Sequence, residues 1–233
     1  MFCAQLEFDS GTNLAGASVQ TYLLEKSRVV YQGPGERNFH VFYHVFESSS
    51  VDSSAWQLLP KEQYHYINQS GVYGAAMVDD KGGENGVDAV VKSLLAVTDG
   101  EAEYIAEVYS LIAAILWLGN VEFSGDGAGV VDTVPLGHAA RLFGCAAEDL
   151  AFALTHSSKE IAGEQIASEL SPLDAQASRD SLARNMYGRL FDDVVSRLNT
   201  SLRGDAEDVS ISHMRAAAKH TTLIFAIQNC PMY

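Results

Sequence analysis

Tyr22 to Tyr43 reads YLLEKSRVVYQGPGERNFHVFY, and the chain changes character across it. On its N-terminal side, Val19 to Leu24 is a β-rich run. Gly33, Pro34 and Gly35 then supply a turn, and Phe39 to Phe46 opens a helix. Strand patterning lies before the Gly-Pro-Gly turn and helical patterning dominates after it.

Working back from this stretch, Phe2, Ala4, Leu6 and Phe8 alternate with Cys3, Gln5 and Glu7, the period of a half-buried strand. Asp9 to Gly16 is rich in turn formers, so the first two strands read as a hairpin with a long loop. Working forward, Val87 to Val97 is a short amphipathic helix. Glu101 to Leu118 puts Ile105, Tyr109, Ile112 and Leu116 on one stripe, with Asp99 as N-cap and Gly119-Asn120 as the stop. Val121 to Phe123 reads as a short strand, and Gly125, Gly127 and Gly129 as a flexible loop. Helices follow at Leu136 to Phe143 and Glu148 to Leu154. The clearest helix is the last one. Ser171 caps it, Pro172 suits its first position, and Asp174 suits the positive end of its dipole. Leu182, Met186, Leu190, Val194 and Leu198 then recur every four residues. Ser201 to Ser212 is polar and acidic, a loop, and Thr221 to Ile227 is a strand or an apolar tail.

Composition narrows the function classes. Apolar residues make up 47% of the 233, enough for a packed core and unlike a disordered chain. With 15 basic against 30 acidic residues, the chain lacks the clustered cations that nucleic acid requires. Cys3, Cys145 and Cys230 are spaced neither as metal ligands nor as a disulfide framework. Glu7 and Asp9 interrupt the first apolar run too early for a signal peptide. Leu111 to Leu118 is shorter than the ~20 residues of a membrane span. These features predict a soluble intracellular protein with no membrane span.

Generic catalytic motifs are scarce. A phosphate-cradling loop needs Gly-Lys followed by Ser or Thr, and the dipeptide Gly-Lys does not occur in this sequence. Asp79-Asp80-Lys81-Gly82 follows an apolar run but reads as a solvated acidic turn. His40 and His44 stand one helical turn apart. Without a third ligand at a useful spacing they read as a structural pair, one packed and one solvated. Glu36 and Arg37 at the bend read as ion-pairing, structural residues worth only ~0–1 kcal/mol if solvated.

Four strings carry a more specific signal. The opening stretch, Tyr22 to Tyr43, resembles the signature that myosin heads carry just after switch I. YHYINQSG (Tyr64 to Gly71) resembles the family's tyrosine-rich loop, and AILWLGNVEF (Ala114 to Phe123) its helix-to-strand junction. ASRDSLARNMYGRLFDDVVSRLN (Ala177 to Asn199) is similar to the long helix before switch II. They occur in the family's order, and the resemblance covers Phe2 to about Leu202.

The resemblance implies a mainly α fold with a small β portion, a fragment of the α/β P-loop NTPase motor fold. Residues 1–32 would be two strands of the motor's central sheet. Residues 33–202 would form the helical upper subdomain, with an actin-contacting loop at 157–170, and 203–233 would be a divergent tail. Counting back from Asp180-Ser181-Leu182-Ala183-Arg184 along the family's spacing arrives at Glu164, where the family places an acidic or phosphorylatable residue; Lys159 and Glu160 are secondary candidates in the same loop.

In this reading the complete parent is an unconventional myosin: an actin-activated, Mg-ATP-driven motor of the cytoplasm and cytoskeleton, with actin filaments as partner. The segment itself implies no catalytic, cofactor-binding or metal-binding residue, and no light chains. The phosphate loop and both switches are expected outside it, since no Asp-x-x-Gly-Phe-Glu follows Leu202. A non-catalytic filament-binding module and an inert truncated product are the alternatives. Steady-state phosphate release by the chain, with or without actin filaments, is therefore expected at background. Magnesium-dependent turnover that tracks the purified chain would refute this.

Overall fold

The computed structural model describes residues 2–8, 10–12, 14–21, 24–47, 53–72, 86–98, 100–161 and 164–202. Strands β1 (Phe2–Phe8) and β2 (Leu14–Thr21) form an antiparallel hairpin with Ala4 opposite Val19 and Leu6 opposite Ala17. The second strand thus starts and ends earlier than the β-rich run suggests, and the loop is shorter. The alternation in β1 does not mark a half-buried strand, because Cys3 to Phe8 are all exposed. Burial belongs instead to Ala17 and Val19 of β2, which pack with Val97, Leu198 and Leu202.

After the Gly33–Gly35 turn come α1 (Val41–Glu47) and the single turn α2 (His65–Asn68), followed by α3 (Val87–Val97) and α4 (Ala102–Gly119). A short hairpin, β3 (Phe123–Ser124) with β4 (Gly129–Val130), leads to α5 (Thr133–Phe143) and α6 (Ala147–Thr155). A third hairpin, β5 (His156–Ile161) with β6 (Glu164–Glu169), precedes α7 (Pro172–Leu202). The architecture is mainly helical, with three two-stranded sheets among the described residues.

Helix α4 is the centre of the core. It packs against α1, α2, α3, α5 and α7, and Ile112 to Gly119 are buried without interruption. Its apolar surface therefore extends around the helix, well beyond the single stripe. By length and composition α4 could cross a membrane, yet here its flanks are covered by other helices. Asp99 lies outside the described residues; Glu101 occupies the N-cap position and makes no side-chain capping bond. At the other end Asn120 is the C-cap. Gly119 is required there, since a Cβ would meet the Tyr66 ring at 2.6 Å.

Local chemistry explains the other boundaries. The Asp132 carboxylate accepts from Val134 N–H at 2.9 Å, so α5 begins about one turn before Leu136. It ends at Gly144, which takes the left-handed conformation with φ 74°. The glycines at 125–129 make a tight turn between β3 and β4, with Gly125 at φ 97°, and not a flexible loop. In α7, Ser171 Oγ accepts from Asp174 N–H at 3.2 Å and donates to its carboxylate at 2.6 Å, a reciprocal cap.

The buried face of α7 is centred on Arg179, Ala183, Tyr187, Phe191 and Leu198, with Leu182, Met186 and Leu190 half-buried beside it. Tyr187 draws the face round, stacking on Phe39 at 5.0 Å and Phe42 at 5.3 Å, pairs worth about 0.5–1.5 kcal/mol each beyond area burial.

The bend after β2 is also more buried than its charges suggest. Glu36 accepts from Gly33 N–H and from Arg28 Nη1. Arg37 is buried, its guanidinium 3.8 Å from the centre of the Tyr43 ring. His40 and His44 are both buried, so neither is the solvated partner the spacing suggested; their ring centres are 6.2 Å apart. Residues 79–82, Cys230, 203–212 and Thr221 to Ile227 lie outside the described residues.

Strand β2 and the C-terminal part of α7 are joined through Asn199. Its side-chain carbonyl accepts from Val19 N–H at 2.6 Å and its amide donates to Val19 C=O at 3.0 Å. Asn199→Ala leaves both backbone groups of Val19 without these partners, and Asn199→Asp sets a carboxylate oxygen against the Val19 carbonyl. Each substitution is expected to lower stability by about 1–3 kcal/mol in urea titrations. Wild-type midpoints for both would show that this amide does not hold the hairpin.

Candidate functional site

The segment at 157–170 is not an irregular loop. It is a hairpin whose ladder runs from His156 opposite Glu169 to Ile161 opposite Glu164. Polar composition hid it, because serines at 157, 158 and 168 are weak strand formers. Gly163, in the two-residue connection, is the one sequence signal for a tight hairpin. The backbone places Lys159 opposite Ile166, Glu160 opposite Gln165, and Glu164 at the tip opposite Ile161. All three candidates therefore share one hairpin, with Glu164 in the pair next to the connection.

The stem is fixed at both strands. Leu170 N–H donates to Thr155 C=O at 2.8 Å, closing the base. Ser157 and Ser168 join their hydroxyls across the ladder at 2.9 Å. The His156 ring stacks on Phe152 at 4.3 Å, and its Nδ1 lies 2.9 Å from Thr155 Oγ1. On the other side the Glu169 carboxylate lies against Gly127 of the β3–β4 turn. An open cleft of about 510 Å³ separates that turn from the stem, lined by Asp126, His156 and Glu169 among others. Hydrogen bonds and stacking hold the stem.

Four sequence stretches meet at the first half of α7. Arg179 Nη1 donates to the carbonyls of Gly119 at 3.1 Å and Val121 at 2.8 Å, where α4 ends and the chain turns into β3. Its Nε and Nη2 reach Asp180 Oδ1 at 2.9 and 2.8 Å. Tyr66 donates its hydroxyl to the same oxygen at 2.7 Å, and burial pushes that phenol's pKa far up. Asn120 accepts from His65 N–H and donates to Gln63 C=O, both at 2.8 Å. Asn38 donates to Val29 C=O at 3.0 Å and to Tyr66 C=O at 2.8 Å.

Beside this junction lies an open cleft of about 580 Å³, lined by His65, Glu122, Asp132 and Arg179 among others. Burial, and secondarily Arg179, lowers the pKa of His65. The cleft's cation is already committed to carbonyls and a carboxylate. Among the described residues no three His, Cys, Asp or Glu side chains are grouped to hold a metal ion. In the sequence Arg179 and Asp180 stand out only as part of a family-like string. The buried cation bridging two carbonyls is invisible without the fold.

The profile of the family "Myosin head (motor domain)" matches residues 3–212. The myosin-2 heavy chain, non muscle, of Acanthamoeba castellanii is 36% identical over 203 residues, which is 85% of this chain and 13% of that protein. Unconventional myosin-Ic of Gallus gallus is 35% identical over 202 residues, 84% of this chain and 19% of that protein. The myosin-K heavy chain of Dictyostelium discoideum is 32% identical over 203 residues, covering 85% and 23%. The chain thus spans less than a quarter of the length of each of these relatives.

Arg179→Lys retains the charge but loses the fork that serves two carbonyls and a carboxylate. It is expected to cost about 2–4 kcal/mol in urea unfolding, since buried polar partners are left unmatched. Arg184→Lys, on a half-buried turn of the same helix, is expected to stay near wild type. Equal small effects would show that the junction does not depend on Arg179.

Proposed function

The chain belongs to the myosin head family, and from that premise we propose that it is the upper part of an unconventional myosin motor domain, an actin-based machine driven by Mg-ATP in the cytoplasm and cytoskeleton. The observation that carries the proposal is the convergence of the four family-like strings at the Arg179 junction. Residues that match the family in sequence also depend on one another in space. The segment's own task in this reading is to present the β5–β6 hairpin to the filament, with ATP chemistry performed by phosphate and magnesium ligands in other parts of the head.

Glu164 is the residue proposed to contribute most. It stands at the hairpin tip, and a permanent carboxylate there supplies negative charge with no kinase. Lys159 and Glu160 stand closer to the stem. A charge acts on partner approach within about one Debye length, ~8–10 Å at moderate salt, so the position next to the connection is proposed to count most.

In a complete head carrying this segment, Glu164→Ala is expected to weaken actin activation several-fold while leaving the ATPase without actin unchanged. Glu160→Ala is expected to do less. Actin-dependent phosphate release over a range of filament concentrations reads both. Equal, negligible effects would remove Glu164 from the filament surface, and a fall in the actin-independent rate would assign the loss to folding.

A further inference from the structure

Strand β5 begins at His156 and β6 ends at Glu169, and these two residues stand opposite each other. Leu170 N–H donates to Thr155 C=O. In an antiparallel ladder a bond between those flanking residues makes His156 and Glu169 a pair not hydrogen-bonded to each other. The side chains of such a pair share a face of the hairpin, with Cβ atoms about 4.5–5.5 Å apart. The backbone thus sets an imidazole directly opposite a carboxylate.

The neighbours of the imidazole fix where it takes a proton. Thr155 has one hydroxyl hydrogen, and it goes to Ala151 C=O at 2.8 Å. The same oxygen, 2.9 Å from His156 Nδ1, can then only accept, so Nδ1 carries a hydrogen whether the ring is neutral or charged. Further protonation falls on Nε2 and breaks neither this bond nor the stacking on Phe152. His156 lines the cleft between the stem and the β3–β4 turn, where the charged side chains beside it are Asp126 of the turn and Glu169 of β6. Helix α6 adds only Ala151 and Thr155 to that lining. Among the described residues, both charges around the ring are therefore negative.

Glu169 has a seat of its own. Its carboxylate lies against Gly127, where a Cβ would meet Oε2 at 2.5 Å, so it is the glycine that admits it. Because Glu169 stands opposite His156 in the ladder, rotation about its side-chain bonds is enough to bring the carboxylate to the imidazole.

We propose that Glu169 is a proton-operated clasp: it rests on the β3–β4 turn while His156 is neutral and pairs with Nε2 once that nitrogen is protonated, fastening β5 to β6 at the base of the hairpin. Imidazoles change charge between about pH 5 and 8. In a complete head the clasp would stiffen the filament-facing hairpin towards acid pH, a consequence that rests on the filament reading, whereas the clasp itself is tested without actin.

Amide hydrogen exchange of the full chain, expressed as protection factors at about pH 6 and about pH 8, reads it. Relative to α4, the amides of Ser157 and Leu170 are expected to be about two- to fivefold better protected at the lower pH, the effect of an opposite-charge cross-strand pair. Glu169→Gln and His156→Gln are each expected to remove the difference. Equal protection of the wild-type chain at both pH values would overturn the proposal, as would a difference that persists in both variants. The ring nitrogen shifts of wild-type His156 at about pH 8 need no variant: a neutral ring with its hydrogen on Nε2 would also overturn it. None of these results depends on filament binding, so the clasp can fail while the filament reading stands, and the reverse.

Discussion

The guanidinium of Arg179 is the point on which the rest of the structure depends. Helix α4 is buried at its C-terminal end, where its last carbonyls have no intrahelical partner. Buried carbonyls without donors cost more than ordinary hydrogen bonds return. Arg179 donates to one of those, Gly119 C=O, and at the same time to Val121 C=O just beyond the helix, and it pairs with Asp180. Tyr66 completes the arrangement by donating to Asp180 while its ring lies over Gly119. Glycine at 119 follows from the position of that ring, and Tyr66 in turn presents its own carbonyl to Asn38.

From this junction α7 runs for 31 residues, about 46 Å at the usual helical rise. Its N-terminal end directly follows the β5–β6 hairpin, whose base closes on Thr155 of α6, and its C-terminal end closes the edge of β2 through Asn199. One helix thus ties the proposed filament surface to a strand pair. Its centre is clamped by Tyr187 between Phe39 and Phe42, so displacement at one end would carry to the other through a packed rod and not through flexible linkers.

Much of this was legible in the sequence, for identifiable reasons. Ser171, Pro172 and Asp174 announce the start of α7, because caps act locally and leave a local pattern. Gly119-Asn120 marks the end of α4 for the same reason. What the sequence hid depends on contacts between distant residues. Arg37 looks like a surface charge until Tyr43 covers it. One of His40 and His44 looks solvated until the core closes over both. The alternation in β1 suggests a buried face, but the burying helix reaches only β2. The β5–β6 hairpin looks like a loop in sequence because its pairing rests on backbone register and a Ser157–Ser168 hydroxyl contact, neither of which favours apolar residues. The candidates Lys159, Glu160 and Glu164 came from family spacing alone; the fold adds that they occupy one hairpin with Glu164 at its tip.

The most direct test of this account is a hydrogen-exchange footprint of the chain with and without a saturating concentration of actin filaments. The account predicts slower exchange in β5 and β6, strongest towards the tip around Glu164, with the amides of α4 unchanged. Filament binding that leaves 156–169 unaltered and protects another surface would contradict it.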